Sequence, residues 1–166
     1  MKREVNRKTV ISESVAQPLG YARRFQELGV YKKARTLARE VFVASQKFPR
    51  EESFSLTDQI RRSSRSVGSQ IAEAWAKRRF EKHFISKLTD GDGEQLETQH
   101  WLTTAYDCGY LSREETQRLG ELCLEIGWML GDMMQKSDQF CQPEAHLHES
   151  SPEYGANNPA AFQTDY

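Results

Sequence analysis

The stretch SKLTDGDGEQLETQHWL, residues 86–102, brings Asp90, Asp92, Glu94, Glu97 and His100 together within eleven positions. Carboxylates and an imidazole so close are the side chains of metal centres, and two such centres use these types. A calcium loop needs oxygen ligands at its first, third and fifth positions, glycine at the sixth and a bidentate carboxylate at the twelfth. Counted from Asp90, the sixth position is Gln95 and the twelfth is Trp101, so the turn glycine and the closing ligand are both missing. A di-iron bundle is closer, because Glu97-Thr98-Gln99-His100 is a Glu-x-x-His. That chemistry needs a second Glu-x-x-His on another helix and one glutamate from each of the remaining two. His83, His146 and His148 have no glutamate three residues before them, which leaves half a site. A di-iron-like metal-binding bundle using Glu97 and His100 is therefore the alternative function, and no metal or other cofactor is the expectation. Nucleotide-binding glycine loops are absent. The plain reading is a helix with a solvated acidic face, since Asp90, Glu94 and Glu97 share one side. Gly91 gives a small surface toward another helix, and close packing has to offset the helix-weakening glycines.

Residues can act together only where elements hold them, and the periodicity provides four helices. Leu28, Tyr31, Ala34, Leu37, Ala38, Val41, Phe42 and Ser45 recur at spacings of three and four, an amphipathic helix from about Phe25. Pro49 stops it near Phe48. Ser55 is a suitable N-cap for a second helix, with Asp58 favouring its first turn. Its stripe of Leu56, Ile60, Ser63, Ser64, Val67, Ile71, Ala74 and Trp75 is lean, which predicts a close neighbour. A third helix carries Phe84, Leu88, Gly91, Gln95, Thr98, Leu102 and Ala105, and ends where Gly109 can take the left-handed position. Ser112 and Glu115 form a capping box for the fourth, whose broad stripe runs through Leu119, Leu122, Cys123, Ile126, Met129, Leu130 and Met133. Helices about 35–40 Å long, joined by short turns, make an all-α, antiparallel up-down-up-down four-helix bundle. The expected organisation is a loose N-terminal arm over 1–22, the bundle over 23–140 and a disordered C-terminal tail over 141–166.

Composition narrows the function classes. No run of about 18 apolar residues exists, which excludes a transmembrane helix, and MKREVNRKTVISESV lacks the apolar centre of a secretory signal. Three cysteines, Cys108, Cys123 and Cys141, show no CxxC spacing; free thiols in a reducing cytoplasm are expected. The formal charge of −1 conceals a division. Residues 1–87 hold 20 Lys and Arg against 9 Asp and Glu, a net +11; residues 88–166 hold 3 against 15, a net −12. A basic half can meet nucleic acid, or the halves can answer each other across helices or subunits.

The order VYKKARTLAREVF, KFPREESFSLTDQIRRSSRSV, SQIAEAWAKRR, ETQHWL and AYDCGYLSREE resembles the small four-helix bundle proteins encoded in intervening sequences of bacterial 23S ribosomal RNA genes. The resemblance covers about residues 25–135. Its most specific piece is the KFP-x-E-E turn followed by L-T-x-Q-I-R-R and the run Ile71-Ala72-Glu73. It departs from the family's habit at Gly68, Gln70 and Ala74, which bear on the turn between helices 2 and 3. The resemblance implies a homo-oligomer, a pentameric ring of bundles, without enzymatic activity. A related branch, the accessory variability determinant protein of diversity-generating retroelements, is similarly a ring that binds nucleic acid and a reverse transcriptase. By analogy the partners would be RNA or DNA, a reverse-transcriptase-like enzyme or a ribosomal component, and no membrane.

Arg61, Arg62, Arg65, Lys77, Arg78, Arg79 and Lys82, with Lys87 beside them, are the candidate nucleic-acid-binding residues. They can track a phosphate backbone, or pair with the acidic faces of a neighbouring subunit. Nothing among them is read as stacking a base. Tyr31, Phe42, Trp101, Tyr106, Met129 and Met134 lie beyond what one inward stripe per helix requires, and such surplus marks subunit interfaces. A head-to-tail ring sets basic half against acidic half until the rotation closes. The expected function is a non-catalytic oligomeric scaffold in the cytoplasm for RNA or a nucleic-acid enzyme.

Overall fold

Periodicity of three and four becomes helix throughout the computed structural model, which describes residues 22–141. The arm and tail expected from the sequence fall outside the described residues, apart from Ala22 and Cys141. The long elements are α1 (Gly29–Ala44), α2 (Leu56–Lys77), α3 (Glu81–Asp107) and α4 (Arg113–Gln135), followed by the single turn α5 (Ser137–Phe140). Their lengths are less even than expected: α1 has 16 residues and α3 has 27. Single 3-10 turns at Phe25–Glu27 and Ser45–Lys47 take up both ends of the longer helix predicted for α1. Phe48 is extended ahead of Pro49, as the proline requires. No strand forms among the described residues.

Each helix packs on its neighbours in the chain, and α1 closes on α4. The contacts run antiparallel at all four seams. Ser45 after α1 meets Arg61 early in α2, whereas Tyr31 early in α1 lies beside Gly68. Ser63 faces Thr98, and Glu73 faces Lys87. Gly91 meets Leu130, and Thr89 meets Met134. Lys33 pairs with Glu125, and Lys47 with Glu115.

The buried residues of α3 are the seven of its predicted stripe, from Phe84 to Ala105. On α2 the lean stripe is buried too, except for the half-buried Trp75, and the Ser63 and Thr98 hydroxyls hydrogen-bond at 3.0 Å where α2 meets α3. A β-carbon on Gly91 would stand 3.4 Å from the Gln70 Cβ and 3.8 Å from Leu130 Cδ1, ordinary contact distances, so α2 and α4 both come close here yet leave room for an alanine. Gly93 differs: nothing lies within 4 Å, and no packing offsets its cost in the helix.

The helix ends combine expected and unexpected caps. At the end of α3, Gly109 has φ +74°, the Tyr110 N–H donates to Ala105 O and the Gly109 N–H donates to Tyr106 O, each at 2.8 Å. This is the Schellman arrangement. Ser112 and Glu115 make the predicted capping box reciprocally. Ser55 occupies the N-cap of α2 but makes no cap bond. Instead the Glu52 carboxylate reaches forward to accept from the Leu56 N–H and from the Ser55 hydroxyl. Hydrogen bonds from the Ser55 hydroxyl first, and then from the Leu56 N–H, hold the Glu52 carboxyl below the ordinary range.

All three cysteines are free. Cys108 is exposed, Cys141 is half-buried, and Cys123 lies in the core, where burial pushes its thiol up to about 12.

Candidate nucleic-acid interface

The acidic stretch does not assemble a metal centre. Among the described residues no group of three or more His, Cys, Asp or Glu side chains is placed to hold an ion. Glu97 Oε1 accepts the Trp101 indole N–H at 3.0 Å, and the exposed His100 packs its ring on the edge of Trp101. Asp92 accepts from the Gln95 amide, whose oxygen accepts in turn from Gln99. Nor is the acidic face freely solvated. Asp90 pairs with Lys87 at 3.2 Å, while Glu94 and Glu97 are half-buried, because this flank of α3 runs along α2. Burial is the first cause of a raised Glu94 carboxyl; Glu97 adds to it and Arg62 opposes it.

The basic set divides into two places and loses one member. Lys87 Nζ lies 3.0 Å from Glu73 and 3.2 Å from Asp90, and donates to Gln70; the two carboxylates raise its pKa, and it is not available to a ligand. Arg61, Arg62 and Arg65 line a shallow groove of about 420 Å³ along the outer side of α2, with Ser66 and Ser69. Arg61 and Arg65 lie over the Phe42 ring, at 4.9 and 5.9 Å from its centroid, and Arg61 Nε donates to Ser45 Oγ. These guanidiniums are fixed by α1. Lys77, Arg78, Arg79 and Lys82 stand twelve or more residues further on, at the corner between α2 and α3, roughly 18 Å along the axis from Arg65. Among the described residues none of the seven has a carboxylate within 4.0 Å.

The corner is more than a run of cations. Arg78 places its guanidinium 4.3 Å from the Trp75 ring centroid and donates to Trp75 O, closing the end of α2. Phe80, at the N-cap of α3, is 53% exposed, with the His83 ring 5.7 Å away. Glu81, the one acid inside KRRFEKH, turns away and accepts from the buried Ser137 hydroxyl. Phe80 is the residue that sequence reasoning missed; its signal is an aromatic set between cations at a helix boundary.

The surplus apolar residues also divide differently. Tyr31, Trp101, Met129 and Met134 pack against the chain's own core, and Phe42 carries the two arginines. Tyr106 stays exposed, joined by Phe54 at 97%, Trp128 at 72%, Leu96 and Leu124. A heptad-like count cannot tell these sets apart, because neighbouring helices cover some flanks and leave others open.

No helix among the described residues is long and apolar enough to cross a membrane. No curated protein matches the chain. Among solved structures, the chain is similar to a protein of unknown function from the S23 ribosomal protein family of Bacteroides thetaiotaomicron. The two are 28% identical with a TM-score of 0.58, over 64% of this chain and 95% of that one. The family model described as 23S rRNA-intervening sequence protein matches residues 26–132. With the four antiparallel helices and the KFPREE turn in place, the chain belongs to the 23S rRNA-intervening sequence protein family.

Proposed function

We propose that the protein is a non-catalytic, self-assembling helical scaffold that holds a nucleic-acid backbone at its α2–α3 corner. The observation that carries this reading is that Lys77, Arg78, Arg79 and Lys82 project from one corner with no carboxylate partner among the described residues. By contrast, Lys33, Lys47 and Arg118 are paired along the α1–α4 seam. Macrodipole complementarity accounts for cations at the end of α2. Four in six positions exceeds what that needs, and such a cluster suits phosphate groups as point charges.

Self-assembly is supported by the other surfaces. Leu96, Leu124 and Trp128 lie exposed on α3 and α4, near Gly93, Gly120 and Gly131, whose missing side chains leave open space. Glu121 and Glu125 are exposed on α4, and the arginine groove of α2, with Phe42 beneath Arg61 and Arg65, offers the opposite charge. A head-to-tail contact joins these unlike faces and can close into a ring, five-membered by the family resemblance. The nucleic-acid partner is RNA or DNA itself, or reaches the scaffold through an enzyme that handles it.

Replacing Lys77, Arg79 and Lys82 together by glutamine tests the backbone reading while sparing Arg78, which packs on Trp75. RNA binding followed by fluorescence anisotropy over a range of salt should weaken for unrelated sequences alike. The slope of log K against log salt should flatten by roughly 0.7–0.9 for each phosphate that is no longer neutralised. An unchanged slope would remove the corner from the account.

A further inference from the structure

We infer that the α2–α3 corner takes unpaired nucleotides, with Phe80 as the platform on which a base stacks. The inference rests on the backbone reading above and adds the class of nucleic acid. Phe80 exposes about half of its surface at 53%, and it is not among the residues packed against the core. Among the described residues its one aromatic neighbour is His83, tilted by 60° at 5.7 Å, which leaves ring surface open. Its backbone is fixed, because its carbonyl accepts the first hydrogen bonds of α3, from the His83 and Phe84 N–H groups at 2.9 and 3.0 Å. Its own N–H donates to Lys77 O at 2.9 Å. An exposed ring on a hydrogen-bonded backbone thus stands between Lys77, Arg78 and Arg79 on one side and Lys82 on the other.

The helix macrodipole explains the cations at the end of α2 but not Lys82 in the first turn of α3, and it gives no reason for an exposed phenyl ring among them. Base stacking does. Aromatic rings among cations bind single strands without reading sequence, because every base has a π face and every nucleotide a phosphate. A duplex hides those faces in its stack, so a ring on a convex corner reaches them only where bases are unpaired. A membrane surface also attracts cations beside an aromatic. Interfacial binding, however, draws on a broad apolar face, and Phe80 is the only large exposed apolar side chain of this corner among the described residues; Phe54, Leu96, Leu124 and Trp128 lie on other parts of the chain.

The test uses the full chain with a labelled oligouridylate, an RNA duplex of equal length, and vesicles containing phosphatidylserine. Phe80→Leu keeps an apolar side chain and the backbone, and Phe80→Trp keeps an aromatic. The oligouridylate should bind more tightly than the duplex, and Phe80→Leu should weaken it about tenfold with no change in salt slope. Phe80→Trp should retain the affinity, and its emission should be quenched on binding beyond that of the wild-type tryptophans. The inference is overturned if Phe80→Leu binds the oligouridylate as the wild type does, if the duplex binds equally well, or if only vesicle binding falls. Should the glutamine triple variant bind more weakly while Phe80→Leu does not, the backbone reading stands and the stacking falls. If the wild type binds neither RNA, both are overturned.

Discussion

Burial along the α2 flank holds the Glu94 carboxyl above the ordinary range, with Glu97 and Asp90 raising it further against Arg62. A raised folded-state pKa means that the fold favours the protonated acid over the carboxylate. At neutral pH the charge is carried against that preference, and the cost disappears as pH falls through the folded pKa. Glu94→Gln should therefore raise the urea midpoint at neutral pH, and the gain should vanish once the acid is protonated in both states, below about pH 4. A midpoint unchanged at neutral pH would contradict the burial argument. Glu115 behaves in the opposite sense. The Lys47 ammonium, then the Ser112 N–H, hold its carboxyl low, so its contribution is present above the unfolded pKa and lost as pH falls through the folded one.

Two serines at the starts of α2 and α4 look alike in the sequence and act differently in the fold. Ser112 accepts from the Glu115 N–H, whereas the Ser55 hydroxyl caps nothing and leans on Glu52. Ser112→Ala should cost about 1 kcal/mol, and Ser55→Ala clearly less, as read by chemical denaturation at one protein concentration. Equal costs would show that Glu52 is not the cap of α2. The pair marks how far the sequence was legible. Stripes and glycine stops were readable, since a period of 3.6 and a left-handed glycine are local properties of the chain; the α3 stripe from Phe84 to Ala105 is buried without exception. Coverage is not local. Trp101 and Leu96 sit five residues apart on one helix, yet one is packed and the other exposed, because only one flank has a neighbour. For the same reason one run of cations became a groove, a corner and a half-buried ion pair, and the phenyl ring at the corner went unread.

For the molecule as a whole, the division into a +11 and a −12 part of the chain has a measurable consequence if unlike faces meet between subunits. Light scattering at micromolar concentration should give a mass above that of two chains, against 19.2 kDa for one. Added salt should lower it, since exposed charges more than about 10 Å apart are screened at 0.1 M. Trp128→Glu, which puts charge into the exposed apolar flank, should release smaller species at any salt. A wild-type mass near one chain would remove the ring, and a dimer would remove the head-to-tail closure while keeping an interface.

The three thiols give this bundle an internal clock. Cys108 is in contact with solvent and should react with an aromatic disulfide reagent at once, and Cys141 more slowly. Cys123, sealed between helices with its thiol pushed up to about 12, has almost no thiolate at neutral pH and no route for the reagent. It can be labelled only when the helices part, so its reaction rate counts openings of the whole core. Followed across protein concentrations, that rate should fall as subunits associate, and should stay constant if each bundle opens alone.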